Sequence, residues 1–359
     1  MDDGNLPRLL YDLRNRSGGT IAFESGFILL VIITAFFGNL LIIGVICKNP
    51  RLRTVTNMFL VGLSISDILT ASLVMPFTAS IFIHGKWMFN DAACIFQGVF
   101  VLSLVWISLH MVTLMAINRY FCVIRPRLYR KWFTRRFTAA MITVVSVLPF
   151  ILTISPYLSG LVTYIFRPGK AACFMTFDPE RKLGKIAYTF FLLIIYTILP
   201  MTIIAVCYYK VFRMVKQHAR AAKNTIRSRQ AGTLSSEEVR MTKMLLVLVL
   251  GFVFCWVPVI IVDFLNAIMG TGSLPRAAYV TYILFALFSS CINPIVCLAL
   301  NGKIRREAKQ VLCFGRLRQV ADAEQTIETN QELTIVRVMP GHRLNKIAGE
   351  DSEINSRTP

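Results

Sequence analysis

Three charge-bearing side chains, Asp67, His110 and Asp263, stand inside the long apolar stretches of this chain, away from their ends. An ionisable group is expensive to keep inside a bilayer, so each marks a functional position by default. His110 reads as a neutral imidazole bonded to a neighbouring helix, since no Cys, His or carboxylate stands near it at ligand spacing. Asp67 has oxygen-bearing companions in Ser108, Ser289 and Asn293, the last two one helical turn apart. Asp263 has Asn266 and Tyr282 as polar companions, with a pair to Lys185 or Arg276 as the alternative. No paired acids, activated nucleophile or metal-ligand cluster occurs, so the chemistry on offer is binding and switching, and an enzyme is not expected.

The elements that position these groups follow from composition. Hydrophobic residues are 55% of the chain and charged residues 16%, against about 25% charged in soluble proteins, and the apolar residues are gathered in blocks. The blocks are Phe27 to Cys47, Met58 to Ile83, Ala92 to Ile117, Phe137 to Phe166, Ile186 to Tyr209, Met244 to Met269 and Ala277 to Asn301. Each is long enough to span a bilayer as a helix. The expected fold is an all-α membrane protein, a seven-transmembrane helix bundle over 26–301 with a short amphipathic eighth helix over 302–313.

Cations decide the expected orientation. The linkers after spans one, three and five hold Lys48, Arg51 and Arg53, then Arg125 to Arg136, then the Lys and Arg residues between Lys210 and Lys243. Positive linkers stay cytoplasmic, which puts residues 1–25 outside and the tail, 314–359, inside. The N-terminal segment carries Asp2, Asp3, Asp12 and Glu24 and has no apolar run, so it is not read as a signal peptide. The net charge of +20 then faces anionic lipid heads or an acidic cytosolic partner rather than nucleic acid. Asn15-Arg16-Ser17 is a glycosylation sequon on the outer side. Of nine cysteines only Cys94 and Cys173 reach the oxidising face, which predicts one disulfide tying the loop after span four to the top of span three. In the eighth helix Ile304, Ala308, Val311 and Leu312 share a face, and Cys313 at its end is a palmitoylation candidate. The polar tail beyond it is expected to be disordered.

Asn39 in GNLL, Asp67 in LSISD, Asn118-Arg119-Tyr120 ending span three, Pro200 followed by Tyr208, FVFCWVP from Phe252 to Pro258, and Asn293-Pro294 occur in that order. Over about residues 27 to 313 this set resembles the rhodopsin-like (class A) G-protein-coupled receptors. Asn118 in place of Asp, and VLP in span four, are nearest in pattern to melatonin-receptor-like members. Phe150 and Phe177 stand where melatonin receptors place Asn and Gln, Ala140 replaces a usual Trp, and Cys297 a usual Tyr. Val101 occupies the place of the Asp of amine receptors and Leu287 that of the retinal-binding Lys of opsins, which argues against both ligand types.

The resemblance implies an extracellular ligand, a small molecule or a peptide, held between spans three, five, six and seven by Val101, Val105, Phe174, Trp256, Asp263, Asn266 and Tyr282. It implies a cytoplasmic switch for a heterotrimeric G protein built from Asn118, Arg119, Tyr120, Tyr208, Glu238, Asn293 and Pro294, with arrestin and a receptor kinase as further partners. Asp67, Ser108, Ser289 and Asn293 match the family's sodium site, and no other cofactor is expected. Pro200 and Pro258 each remove a backbone hydrogen bond, so bending can concentrate there. A transporter or channel, or a receptor-like subunit without signalling, is the alternative; a transporter should show repeated halves and more intramembrane charges. Glu238 lies eighteen residues before Trp256, about five turns along one helix face, and a resting pair between Glu238 and Arg119 is expected. Glu238→Ala should therefore raise ligand-free nucleotide exchange at equal surface expression, and equal rates would remove the pair from the account.

Overall fold

The computed structural model describes residues 6–177, 182–224, 236–270 and 272–312, without the side chains of 182, 183, 185, 218–224 and 236–239. Seven of the described helices are long and apolar enough to cross a membrane: Gly18–Lys48, Val55–His84, Asp91–Ile124, Arg135–Leu158, Ile186–Gln217, Arg240–Met269 and Arg276–Leu300. Large apolar side chains turn outward, as with Phe254 at 63% exposure, which suits hydrocarbon and would be costly in water.

The spans begin earlier than their apolar runs because polar caps start them. Ser17, Thr54, Asn90 and Thr134 accept from the backbone N–H of Thr20, Asn57, Ala93 and Phe137 at 3.2, 3.3, 2.9 and 3.3 Å, each worth about 1 kcal/mol. Span two passes through a π-helical turn, Thr70–Val74, just ahead of Pro76, and span five through another, Ile194–Ile198, just ahead of Pro200. A proline cannot donate to the carbonyl four residues back, and a wider turn accommodates the freed group.

Span four ends at Leu158 rather than Phe166. Gly160 follows at φ +69°, a left-handed break. The apolar VTYIF is instead strand β1 (Val162–Arg167), paired antiparallel with β2 (Ala172–Phe177) with Phe166 opposite Cys173. Its β-branched and aromatic residues favour a strand, and apolarity alone does not separate strand from helix. The expected disulfide joins Cys94 to Cys173 with Cα atoms 5.4 Å apart. Gln97 Oε1 accepts from the Cys173 N–H at 2.9 Å, so the hairpin is fixed across the start of span three.

Within the N-terminal segment the described residues begin at 6, and the first span already starts at Gly18. Leu6–Arg14 forms a helix whose Leu9 and Leu13 pack into a core with Phe82, Tyr279 and Ile283. Gly85 ends span two at φ +70°, where an added Cβ would stand 3.1 Å from the Leu13 carbonyl oxygen. Arg16 donates to Leu13 O at 2.7 Å, Phe82 O at 2.6 Å and Glu24 Oε2 at 2.9 Å. Arg276 reaches the same carboxylate at 2.6 and 2.5 Å. Asn15 itself is exposed.

Between spans one and seven, an added Cβ on Gly38 would lie 2.9 Å from Pro294, so only glycine allows that approach. A further helix covers 302–312, its start capped by Asn301 Oδ1, which accepts from Lys303 N at 3.1 Å and Ile304 N at 3.2 Å. Ile304 and Ala308 are buried, as the amphipathic pattern requires. Cys313 and 314–359 lie outside the described residues.

Glu24 is 4% exposed and receives two guanidinium groups, so its loss strands buried positive charge. Glu24→Gln should cost about 3 kcal/mol, read as a fall in the thermal unfolding midpoint of the purified protein. An unchanged midpoint would deny the cluster its structural role.

Candidate functional site

At the disulfide end the helices enclose a cavity of about 330 Å³. Val101 and Val105 from span three, Phe174 from β2, Trp256 and Asp263 from span six and Tyr282 from span seven all line it. On span six, Phe252 and Trp256 stack at 5.6 Å, and both face the cavity because four residues are close to one helical turn. Trp106 stacks on Tyr196 at 4.0 Å, and Tyr196 belongs to the π-helical turn ahead of Pro200. His110 bonds to the Trp106 carbonyl of its own helix at 2.8 Å and meets the Tyr196 ring at 5.0 Å. Its hydrogen bond is therefore local, to the carbonyl one helical turn back, where one to a neighbouring helix was expected.

Asn266 is not in this cavity. Its Oδ1 accepts from Tyr279 Oη at 2.5 Å beside a second, outer cavity of about 290 Å³ lined also by Leu9, Arg167, Lys170 and Phe174. Asp263 pairs with Lys170 at 2.7 Å, while Arg276 is held by Glu24 instead and the Lys185 side chain lies outside the described residues. Lys170 descends from the hairpin turn, its Nζ 4.6 Å from the Phe174 ring centre and 4.9 Å from that of Tyr282. Burial disfavours its ammonium, but Tyr282 and the Asp263 carboxylate outweigh that and hold its pKa above the ordinary value. Sequence reasoning missed Lys170. The available signal was a cation three residues before Cys173, which the disulfide hangs over the bundle.

Midway along the bundle Asp67 is 2% exposed, and Asn293 Nδ2 donates to it at 2.5 Å. Asn39 does not reach it; its amide donates to Ala35 O at 2.8 Å and Ser290 O at 3.0 Å. Ser108 is bonded to Ser66 at 3.1 Å, and Ser289 donates to Ala286 O at 2.6 Å. Of the four residues expected around a sodium ion, only Asp67 and Asn293 are thus joined directly. The set is oxygen-rich and carries one carboxylate, a donor chemistry that fits a small hard cation.

At the other end Arg119 is 4% exposed. Its Nη2 and Nε donate to Asn118 Oδ1 at 2.7 and 3.2 Å, and Nη2 also donates to Thr56 Oγ1 of span two. Thr56 Oγ1 in turn donates to Asn118 Oδ1 at 3.0 Å. A neutral amide and a hydroxyl thus hold the guanidinium where a carboxylate is usual in the family. Thr56 went unnoticed in the sequence, where nothing separates it from any other helical Thr. The Glu238 side chain lies outside the described residues. The Tyr208 hydroxyl and Asn118 Nδ2 are buried with no hydrogen-bond partner among the described residues. Tyr120 faces Lys210 of span five, whose Nζ is 5.6 Å from its ring centre.

Comparison with known proteins agrees with this geometry. The family described as 7 transmembrane receptor (rhodopsin family) matches residues 38–296. The mouse melatonin receptor type 1B is 29% identical over 79% of this chain and 76% of its own length. The Xenopus laevis neuropeptide Y receptor type 1 is 30% identical over 83% of this chain and 82% of its own. Squid rhodopsin shares the fold, with a TM-score of 0.70 at 24% identity over 83% of this chain and 87% of that one. The chain therefore belongs to the rhodopsin family of seven-transmembrane receptors, multi-pass plasma-membrane proteins that couple ligands to heterotrimeric G proteins and catalyse no reaction of their own.

Proposed function

We propose that this receptor binds a compact, largely apolar small molecule in the 330 Å³ cavity and relays it to the buried Arg119 at the cytoplasmic face. The observation that carries this reading is the third span. Val101 and Val105 line the cavity, and Arg119 stands eighteen residues on from Val101, about five turns along the same rod. The volume is near the lower end for ligand sites, which supports a small molecule over a peptide. Relatives named for melatonin bring melatonin-like ligands into scope, whereas Phe150 and Phe177 weigh against melatonin itself.

In this reading the N-terminus is extracellular, as cation placement and the disulfide support, and the exposed Asn15 carries a glycan. Cys313 carries an acyl chain beside anionic lipid heads, and arrestin and a receptor kinase meet the cytoplasmic loops and tail. Asp67, Asn293, Ser108 and Ser289 hold a sodium ion in the resting state. Asp67 would supply the countercharge and the hydroxyls neutral oxygens, so the ion favours the closed packing of spans two, three and seven.

The direct test reconstitutes purified receptor with a heterotrimeric G protein and follows nucleotide exchange across a ligand library. Accelerated exchange with any ligand supports the reading, and none with any G-protein class contradicts it. Asp67→Asn should abolish the sodium dependence of agonist affinity, and an undiminished dependence would remove sodium from the site. Thr56→Val takes one acceptor from a buried guanidinium, a loss of about 1.5–3 kcal/mol. A resting active fraction of about 1% would rise to about 10–60%, seen as faster ligand-free exchange at matched expression. A basal rate equal to the parent's would show that Thr56 does not hold the resting state.

A further inference from the structure

Lys170 is the last residue of the short helical turn Pro168–Lys170 at the tip of the hairpin. Ala171, the next residue, is held at φ +43°, a left-handed conformation uncommon for a residue with a side chain, and it is fully buried. The chain is therefore turned sharply at this point, under a hairpin that the disulfide fixes to span three. The Lys170 side chain, 22% exposed, runs inward and ends at three groups from different elements. Asp263 Oδ1 lies 2.7 Å from its Nζ, with the Phe174 and Tyr282 rings at 4.6 and 4.9 Å.

A carboxylate beside two aromatic faces is the composition that recognises an ammonium group, by charge-assisted hydrogen bonding and by the negative ring faces. Here an ammonium from the same chain already fills it. Lys170 also lines both the inner and the outer cavity, so it stands at the boundary between them.

We propose that Asp263, Phe174 and Tyr282 form an ammonium subsite of the ligand cavity that Lys170 occupies as a tethered ligand, so that soluble primary amines bind there only when Lys170 is absent. Lys170 is then the specificity-determining residue of the cavity. With it in place, Asp263 is neutralised from within, and an entering ligand meets an apolar chamber closed by an internal ion pair. An aminergic pocket would present a bare carboxylate instead. The inference rests on the reading of the cavity as the ligand site, and it adds the charge class that site rejects.

The test is chemical rescue, with n-butylamine standing in for the deleted side chain. Full-length protein is purified in detergent, and thermal unfolding is followed with and without millimolar n-butylamine, with 1-butanol as the uncharged control. Lys170→Ala should lower the midpoint by about 2–4 °C. n-Butylamine should restore at least half of that loss, butanol should not, and neither should shift the parent or the double variant Lys170→Ala/Asp263→Asn. An amine shift in the parent equal to that in Lys170→Ala, or no amine shift in a folded Lys170→Ala, overturns the proposal. If Lys170→Ala does not accumulate as folded protein, its yield from cells grown with n-butylamine decides: recovery with the amine alone supports the subsite, and no recovery overturns it. Neither readout involves a G protein. Failed rescue would thus leave the coupling reading standing, and failed coupling would leave the subsite standing.

Discussion

A guanidinium cannot be left bare inside a helical bundle, and among the described side chains Arg119 is satisfied there with no carboxylate beside it. The solution is a three-membered ring of hydrogen bonds in which Thr56 and Asn118 bond each other and both accept from Arg119. An amide and a hydroxyl offer less countercharge than an aspartate would, so the ring holds the arginine more weakly than an ion pair of the same geometry. Meanwhile the Tyr208 hydroxyl and the Asn118 amide nitrogen are buried without partners among the described residues. A state in which spans three and five repack, or in which a partner enters, can satisfy them. The resting bundle thus carries at one place a weak lock and unmet polar groups, the ingredients of a two-state element with a small gap.

At the opposite end the charged groups meet in ion pairs across several elements. Glu24 takes both Arg16 and Arg276, which joins the N-terminal helix to spans one and seven, and Arg16 also bonds the last turn of span two through Phe82 O. Asp263 takes Lys170, and the hairpin carrying Lys170 is bound by the disulfide. That end is therefore rigidly framed around an apolar chamber. Between the two ends Asp67 and Asn293 couple spans two and seven at 2.5 Å, where a cation arriving or leaving would be felt by both helices.

The seven spans were legible because the bilayer demands about twenty apolar residues for each, a signal no soluble fold produces. Their starts were not, since Ser17, Thr54, Asn90 and Thr134 act through single hydrogen bonds that leave apolarity unchanged. The Cys94–Cys173 pair followed from topology alone, because the other cysteines lie toward the reducing side or within the spans. VTYIF was read as helix because a short apolar run carries no period that tells it from a strand. Val101, Val105, Trp256 and Asp263, which the family resemblance implied, line the cavity, whereas Asn266 on the same span six does not. The partners that decide electrostatics, Thr56 for Arg119 and Lys170 for Asp263, were invisible, each being 63 or 93 positions from the group it meets and brought there by tertiary packing.

The central claim is that the helices part at the cytoplasmic end when Arg119 leaves its ring. It is tested most directly by the distance between spin labels placed at the exposed positions Arg127, beyond span three, and Arg240, at the start of span six. In resting receptor the account predicts one short-distance population; nucleotide-free G protein, or Thr56→Val alone, should add a longer-distance population. A single unchanged distribution under all three conditions would contradict it.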